Sequence, residues 1–263
     1  MKSPADTRIV ALDGLRGVLA CMVLMHHVAQ RLGSELLSMP AGIAVLLFFV
    51  MSGSVLSRAY DGRYLLFLAR RVLRLWPVYG ACLLFGYAVA HVSPEFRAFI
   101  WYPPMPPGIL EANLPAWSLW VEAWAALFMP VIAWFAGGSL VRAAAILPLA
   151  LLAMRYSWLI FPITFLFGGV LARWTLRCGL LERPMPQWLG KLSYSLYLSH
   201  WPVLLASWEL VGIAGVICGV PVALGLAWLI WKYIERPSIA LSRKVVRPHS
   251  KSLSSRAVGA ARA

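Results

Sequence analysis

Long apolar segments recur along the whole sequence and are separated by short polar stretches. A helix needs about 17–25 mostly apolar residues to span a bilayer, and most of these segments reach that length. The pattern predicts eight spans, at residues 17–30, 40–57, 75–92, 115–136, 140–154, 156–172, 192–209 and 211–231. We therefore expect an all-α protein, a polytopic transmembrane helical bundle.

The composition supports a membrane protein and argues against a soluble one. Apolar residues make up 61% of the 263 residues and charged residues only 13%, against roughly 25% charged in soluble domains. Asp13 and Arg16 interrupt the first apolar run and no small-residue cleavage pattern follows it, so we expect no cleavable signal peptide. The four cysteines form no CxxC or Cys/His spacing, which predicts buried free thiols and no metal site.

The net charge of +14 is explained by membrane topology. With the N-terminus in the cytoplasm, every Lys and Arg except Arg31, Arg97 and Arg155 falls on the cytoplasmic side of the eight spans. This bias is the positive-inside rule. It predicts a multi-pass protein of a bacterial inner membrane with both termini cytoplasmic, and no nucleic-acid partner.

The short connections between most spans predict one membrane domain, residues 1–241. Residues 242–263 are polar and basic, which predicts a disordered cytoplasmic tail. The longer outer loop, from about residue 91 to residue 116, contains "WYPPMPPGILEANLP", whose prolines prevent a regular helix. This loop is either a cover for a site on the outer face or a passive connector.

The first span carries an arginine and a histidine eleven positions apart, Arg16 and His27. Eleven helical positions advance about 1100°, three turns plus roughly 20°, so both lie on one face and about 16 Å apart. Ionisable residues inside a span are functional by default. Two alternatives stay open: Arg16 snorkels to lipid phosphates, and His27 only forms a hydrogen bond to a neighbouring helix.

Glu122 is the carboxylate set most clearly inside a predicted span, about two turns below the outer end of the fourth. This depth is comparable to that of His27. A Glu122–His27 pair would orient the imidazole and stabilise its charged form. The alternative is a structural hydrogen bond to another helix.

Two further groups of polar residues stand at or in the spans. Arg71 and Arg74 lie three apart, on one helical face, and suit a phosphate-bearing ligand; positive-inside anchoring explains them equally well. Ser52, Tyr194 and His200 are candidates for an acceptor site or for structural hydrogen bonds between helices.

Six of these stretches, in order, resemble the motifs of the acyltransferase-3 family of integral membrane O-acyltransferases, whose members modify O-antigens, exopolysaccharides and lipochito-oligosaccharides. The stretches are "LDGLRG" with its R-x10-H spacing, "LFFVMSG" (Leu47–Gly53), "RRVLRLWP" (Arg70–Pro77), "WSLWVE" (Trp117–Glu122), "SYSLYLSHWP" (Ser193–Pro202) and "IERP" (Ile234–Pro237). Together they extend over about nine-tenths of the chain.

The resemblance implies acyl-CoA as a cytoplasmic co-substrate, with acetyl-CoA as the preferred candidate, and no bound cofactor. It implies a hydroxyl group of a sugar, polysaccharide or glycolipid as the acceptor. It implies His27 as the catalytic residue, with Glu122, Arg16, Arg71 and Arg74 as essential partners. His27 would act as general base or become transiently acylated. The pantetheine arm of coenzyme A is of the same order of length as the Arg16–His27 separation.

The sequence departs from the family pattern in two places. It has room for two helices, where the family has four, between the fourth span and "GKLSYS", and "WVEAW" has alanine where a second acidic residue is common. Two alternatives to an enzyme therefore stay open: a transporter or flippase of a glycolipid or acylated substrate, and an inactive acyltransferase-like membrane scaffold. The oligomeric state is not predicted.

Overall fold

The computed structural model describes residues 9–91, 111–136, 144 and 146–245. Within these residues the all-α prediction is confirmed, and no strand is present. The helices are α1 (Val10–Leu32), α2 (Ala41–Ala59), α3 (Tyr64–Ala90), α4 (Trp117–Leu127), α5 (Met129–Ala136), α6 (Ile146–Ala153), α7 (Ile160–Leu171), α8 (Pro184–Ile230) and α9 (Arg236–Lys244). Two short 3-10 turns, Leu114–Ala116 and Ser157–Leu159, precede α4 and α7, and a π-helical turn, Trp231–Glu235, joins α8 to α9.

Four helical segments among the described residues are long and apolar enough to cross a membrane, or five if α4 and α5 form one bent span. The longest comprises α8 and its continuation to Lys244. It is broken at Val211 and Gly212, where Gly212 has a φ of 60°, close to the predicted boundary between the seventh and eighth spans. The chain is thus a multi-pass helical protein, and the count of eight spans stays a prediction.

The third helix begins earlier than its apolar pattern indicates. We expected the span to start at residue 75, but α3 runs from Tyr64 and includes Arg70, Arg71 and Arg74. The residues before 75 are largely Leu, Arg and Ala, which have high helix propensity. The arginines therefore lie along the helix rather than in a loop before it.

The predicted fourth span is bent. Its two parts, Leu114–Leu127 and Met129–Ala136, meet at 70°. Pro130 is the second residue of α5 and has no N–H to bond a carbonyl of the preceding turn, which ends α4 at this point. Glu122 lies in α4, before the bend, so the bend changes the direction of the chain only after this residue.

Parts of two predicted regions lie outside the described residues. The outer loop is described only at residue 91 and from residue 111, and the tail only to residue 245. The predicted tail boundary at residue 242 falls inside α9, which continues to Lys244. Residues 246–263 lie outside the described part.

Glycines allow the closest helix contacts. α1 packs along α8, and α2 packs against α7. A Cβ added at Gly53 of α2 would overlap the carbonyl oxygen of Phe165, and one at Gly168 of α7 would overlap that of Val50. Similarly, a Cβ on Gly14 of "LDGLRG" would overlap the carbonyl oxygen of Leu181. The motif glycines thus have a packing role.

The α2–α7 crossing can be tested by adding one methyl group. We expect Gly53→Ala to lower the free energy of unfolding by about 1–3 kcal/mol, because the backbones must separate. Gly80→Ala in α3 is the control, since a Cβ there meets nothing within 4 Å. Thermal unfolding in detergent, followed by size-exclusion chromatography, measures both variants. Equal stability of the two would contradict this account of the crossing.

Candidate functional site

A cavity of about 610 Å³ opens among α1, α2, α3, α4, α8 and α9. Its basic residues outnumber its acidic residues. We call it the arginine cavity. The basic residues of its wall are Arg16, Arg58, Arg71, Arg74, Lys191 and Arg243, and the acidic residues are Asp13, Glu122 and Glu235.

An ion pair between α3 and α4 crosses this cavity. Nη2 of Arg71 lies 2.5 Å from Oε1 of Glu122, and the hydroxyl of Ser52 in α2 donates to the same oxygen at 3.0 Å. The Arg71 side chain is 11% exposed and that of Glu122 21%. Nε of Arg71 is buried and has no hydrogen-bond partner among the described residues. This nitrogen is an unused hydrogen-bond donor in the described part of the chain.

The other two predicted arginines line the same cavity. Nη1 of Arg16 lies 3.8 Å from Oδ1 of Asp13, one turn earlier on α1. Arg16 also lies within electrostatic range of Arg71, Arg74 and Glu122. The structure thus brings together Arg16, Arg71 and Arg74, which the sequence places on two separate spans. The cavity is suited to a ligand with phosphate groups.

Two residues of α8 have structural hydrogen bonds beside the cavity. The hydroxyl of Tyr194 donates to the carbonyl oxygen of Leu75 at 2.9 Å, and that of Ser195 donates to Oε2 of Glu235 at 2.6 Å. Tyr194 was a predicted polar site residue; Glu235 was not. Glu235 ends the π-helical turn, is 5% exposed and lines the cavity. The signal for it was the "IERP" motif, to which the sequence assigned no role.

His27 lies at the other end of α1 from Arg16 and is 9% exposed. Its Nδ1 lies 3.0 Å from Oε1 of Gln30; because an amide oxygen only accepts, Nδ1–H donates and Nε2 keeps its lone pair. The ring stacks on His200, with centroids 5.4 Å apart, and meets Trp201 edge-on at 5.1 Å. His27 therefore has a fixed ring and a basic nitrogen.

His200 is wholly buried beside it. Its Nδ1 bonds the carbonyl oxygen of Leu196 at 3.0 Å, so this nitrogen carries the proton. Nε2 has no hydrogen-bond partner in the described part of the chain. We call the stacked rings of His27 and His200 the histidine pair. The Nδ1 hydrogen bonds of the pair leave both Nε2 atoms unprotonated in the neutral rings.

The expected pairing of Glu122 with His27 is wrong. Glu122 is bound by Arg71 and Ser52 in the arginine cavity, and His27 is bound by Gln30. The earlier start of α3 brings Arg71 alongside α4, and a guanidinium is a stronger partner for a buried carboxylate than a neutral imidazole.

The arginine cavity stops short of the histidine pair. His27 is not among the residues that line it. Tyr197 lines the cavity and also packs edge-on against His200, with centroids 6.1 Å apart. Its hydroxyl is within 2.9 Å of the Ser118 hydroxyl, which holds the ring in place. In this structure, therefore, the cavity does not continue to His27, and Tyr197 belongs both to the cavity wall and to the contacts of His200.

Comparisons with known proteins agree with the sequence motifs. A family model described as an acyltransferase domain matches residues 9–180. A protein of Rhizobium radiobacter named "Protein 2 in picA locus" is 38% identical over 87 residues, which cover 30% of this chain and 43% of that relative. The chain thus matches less than half of the relative's length. No solved structure matches it significantly.

Proposed function

The chain belongs to the acyltransferase-3 family, and from this premise we propose that it transfers an acyl group, acetyl first, from acyl-CoA to a hydroxyl of a sugar, polysaccharide or glycolipid. The donor enters the arginine cavity from the cytoplasm, and the acceptor is modified at the outer face of a bacterial inner membrane. His27 is the general base. Membership of the family supports the acyl transfer, and the two clusters of polar residues support the assignment of roles.

One observation carries the proposal: three arginines from α1 and α3 line a single cavity beside an anchored carboxylate. Arginine binds phosphate oxygens with two parallel hydrogen bonds. Glu122 and Ser52 fix Arg71, while its buried Nε stays unpartnered among the described residues. A ligand with a diphosphate, such as coenzyme A, supplies the acceptor atoms that this nitrogen lacks.

The distance from this cavity to His27 suits the donor. Arg16 and His27 are eleven residues apart on the unbroken α1, which corresponds to a rise of about 16 Å. The pantetheine arm is thin and of similar length, so phosphates held by the arginines place the thioester near the histidine pair. Tyr197 must then rotate away from Ser118 to admit the thioester.

The reaction follows from the state of the imidazole. Nε2 of His27 takes the proton of the acceptor hydroxyl while the hydroxyl oxygen attacks the thioester carbonyl carbon. The carbon–sulfur bond breaks, and the coenzyme A thiolate receives the proton from His27. The Nδ1–H bond to Gln30 holds the ring orientation throughout.

The other predicted polar residues are Ser52 and Tyr194, beside the arginine cavity, and His200, in the histidine pair. Ser52 and Tyr194 are occupied by Glu122 and by the Leu75 carbonyl, so we assign them structural roles. Nε2 of His200 has no hydrogen-bond partner within the described residues, and the ring adjoins His27. Of Ser52, Tyr194 and His200, we therefore assign only His200 to contact with the acceptor hydroxyl.

Thioester consumption tests the proposed function against transport. Membranes that contain the protein are incubated with acetyl-CoA labelled in the acetyl group, and membranes without the protein serve as the control. We expect free coenzyme A to be released and the label to move into the lipid or polysaccharide fraction. A transporter or a scaffold would leave the thioester intact, and this result would overturn the proposal.

A further inference from the structure

One face of the last helical segment lines the arginine cavity, and its residues change from buried to exposed along the segment. Glu235, Ile239 and Arg243 are each four residues apart, so they share one helical face, and all three line the cavity. Glu235 is 5% exposed, whereas Arg243 is exposed. Over about two turns the wall changes from a buried carboxylate to an exposed cation, which places the opening of the cavity at the Arg243 end.

Two more cations stand among the lining residues. Lys191 of α8 is exposed, and Arg58 comes from the last turn of α2. Nη2 of Arg58 donates to the carbonyl oxygen of Trp174 at 2.5 Å, and its Nε is buried without a hydrogen-bond partner in the described chain. We call Arg58, Lys191 and Arg243 the mouth cations.

The mouth cations have no carboxylate partner among the residues that the structure describes. The ion pairs found within residues 9–91, 111–136 and 146–245 involve Arg16, Arg63, Arg70 and Arg71, and none of them includes a mouth cation. Arg71, by contrast, is 11% exposed and paired with Glu122. The cavity thus has an inner arginine paired with a carboxylate and outer cations without one.

We propose that the mouth cations bind the ribose 3′-phosphate of the coenzyme A donor while Arg16, Arg71 and Arg74 hold its diphosphate. The inference rests on the proposed function. It fits the chemistry of this donor, which carries two separate phosphate groups at one end and an uncharged arm at the other. Lys191 and Arg243 lie beyond residue 180, where the family match ends, so this subsite is assigned from the structure of this chain.

The 3′-phosphate can be tested alone because acetyl-dephospho-CoA lacks only that group. Isothermal titration of the purified full chain in detergent measures the binding of acetyl-CoA and acetyl-dephospho-CoA. We expect the wild type to bind acetyl-CoA about tenfold more tightly, since each exposed contact contributes up to about 1 kcal/mol. The double variant Lys191→Ala/Arg243→Ala keeps only Arg58 of the three mouth cations, so it should lose most of this preference, with the affinity for acetyl-dephospho-CoA unchanged.

The control removes two charges from the same region. Arg236 and Lys244 are exposed on α9 and do not line the cavity, so Arg236→Ala/Lys244→Ala should keep the tenfold preference. Equal binding of both thioesters by the wild type, or loss of the preference in the control, would overturn the subsite alone. Failure of the wild type to bind either thioester would overturn the proposed function and the subsite with it.

Discussion

Replacement of His27 by alanine should lower acyl transfer by roughly 10²–10⁴-fold, the usual contribution of a general base. The ring is buried between Gln30, His200 and Trp201, and its Nε2 is the nitrogen without a proton. Label transfer from acetyl-CoA in membranes, normalised to the amount of inserted protein, measures the loss. Binding of acetyl-CoA should persist, because the arginine cavity does not include His27.

His26 provides a matched control for this variant. It is the preceding residue of α1, so its side chain points about 100° away on the helix, and its Nδ1 is 3.4 Å from the Ser38 hydroxyl. His26→Ala should retain most of the activity. If His27→Ala were as active as His26→Ala, His27 would not be the base, and the proposed mechanism would fail.

Helical periodicity alone predicted several relations in the site. Arg16 and His27 were placed on one helix from their spacing, and α1 runs without a break through both. The same reasoning put Arg71 and Arg74 on one face, and both line the arginine cavity. These relations lie within single helices and need only 3.6 residues per turn, so the sequence was sufficient for them.

The contacts between helices could not be predicted from the sequence. The pairing of Glu122 with Arg71 depends on where α3 begins and on the bend after α4, and an apolar pattern shows neither. Glu122 itself lies in α4, before the bend. The sequence therefore identified the carboxylate but assigned it the wrong partner.

Tyr197 and Glu235 show the same limit. Both lie in motifs that were recognised, "SYSLYLSHWP" and "IERP", yet their positions depend on tertiary packing. Tyr197 lines the cavity, where its hydroxyl meets that of Ser118 of α4, and Glu235 is buried and accepts a hydrogen bond from Ser195 of α8. Such residues look like ordinary members of apolar helices until the neighbouring helix is in place.

Loss of the Arg71–Glu122 ion pair is the second change from which we expect a large effect, on stability as well as on activity. Glu122→Ala leaves the Arg71 guanidinium, 11% exposed, without its counter-ion; loss of one partner costs about 3–5 kcal/mol in a fully buried pair, and this partly buried pair should approach the lower end of that range. We expect a large fall in the thermal midpoint in detergent, together with loss of acetyl-CoA binding. Ser52→Ala removes only one hydrogen bond to Glu122 and should cost about 1 kcal/mol.

A double variant separates the stability of the pair from its function. Arg71→Met/Glu122→Met replaces both charges with apolar side chains, and such replacements of buried pairs are often neutral or stabilising. The double variant should therefore recover most of the thermal midpoint lost in Glu122→Ala, yet bind acetyl-CoA no better, because the guanidinium that binds phosphate is gone. Recovery of binding along with stability would show that Arg71 serves only the fold.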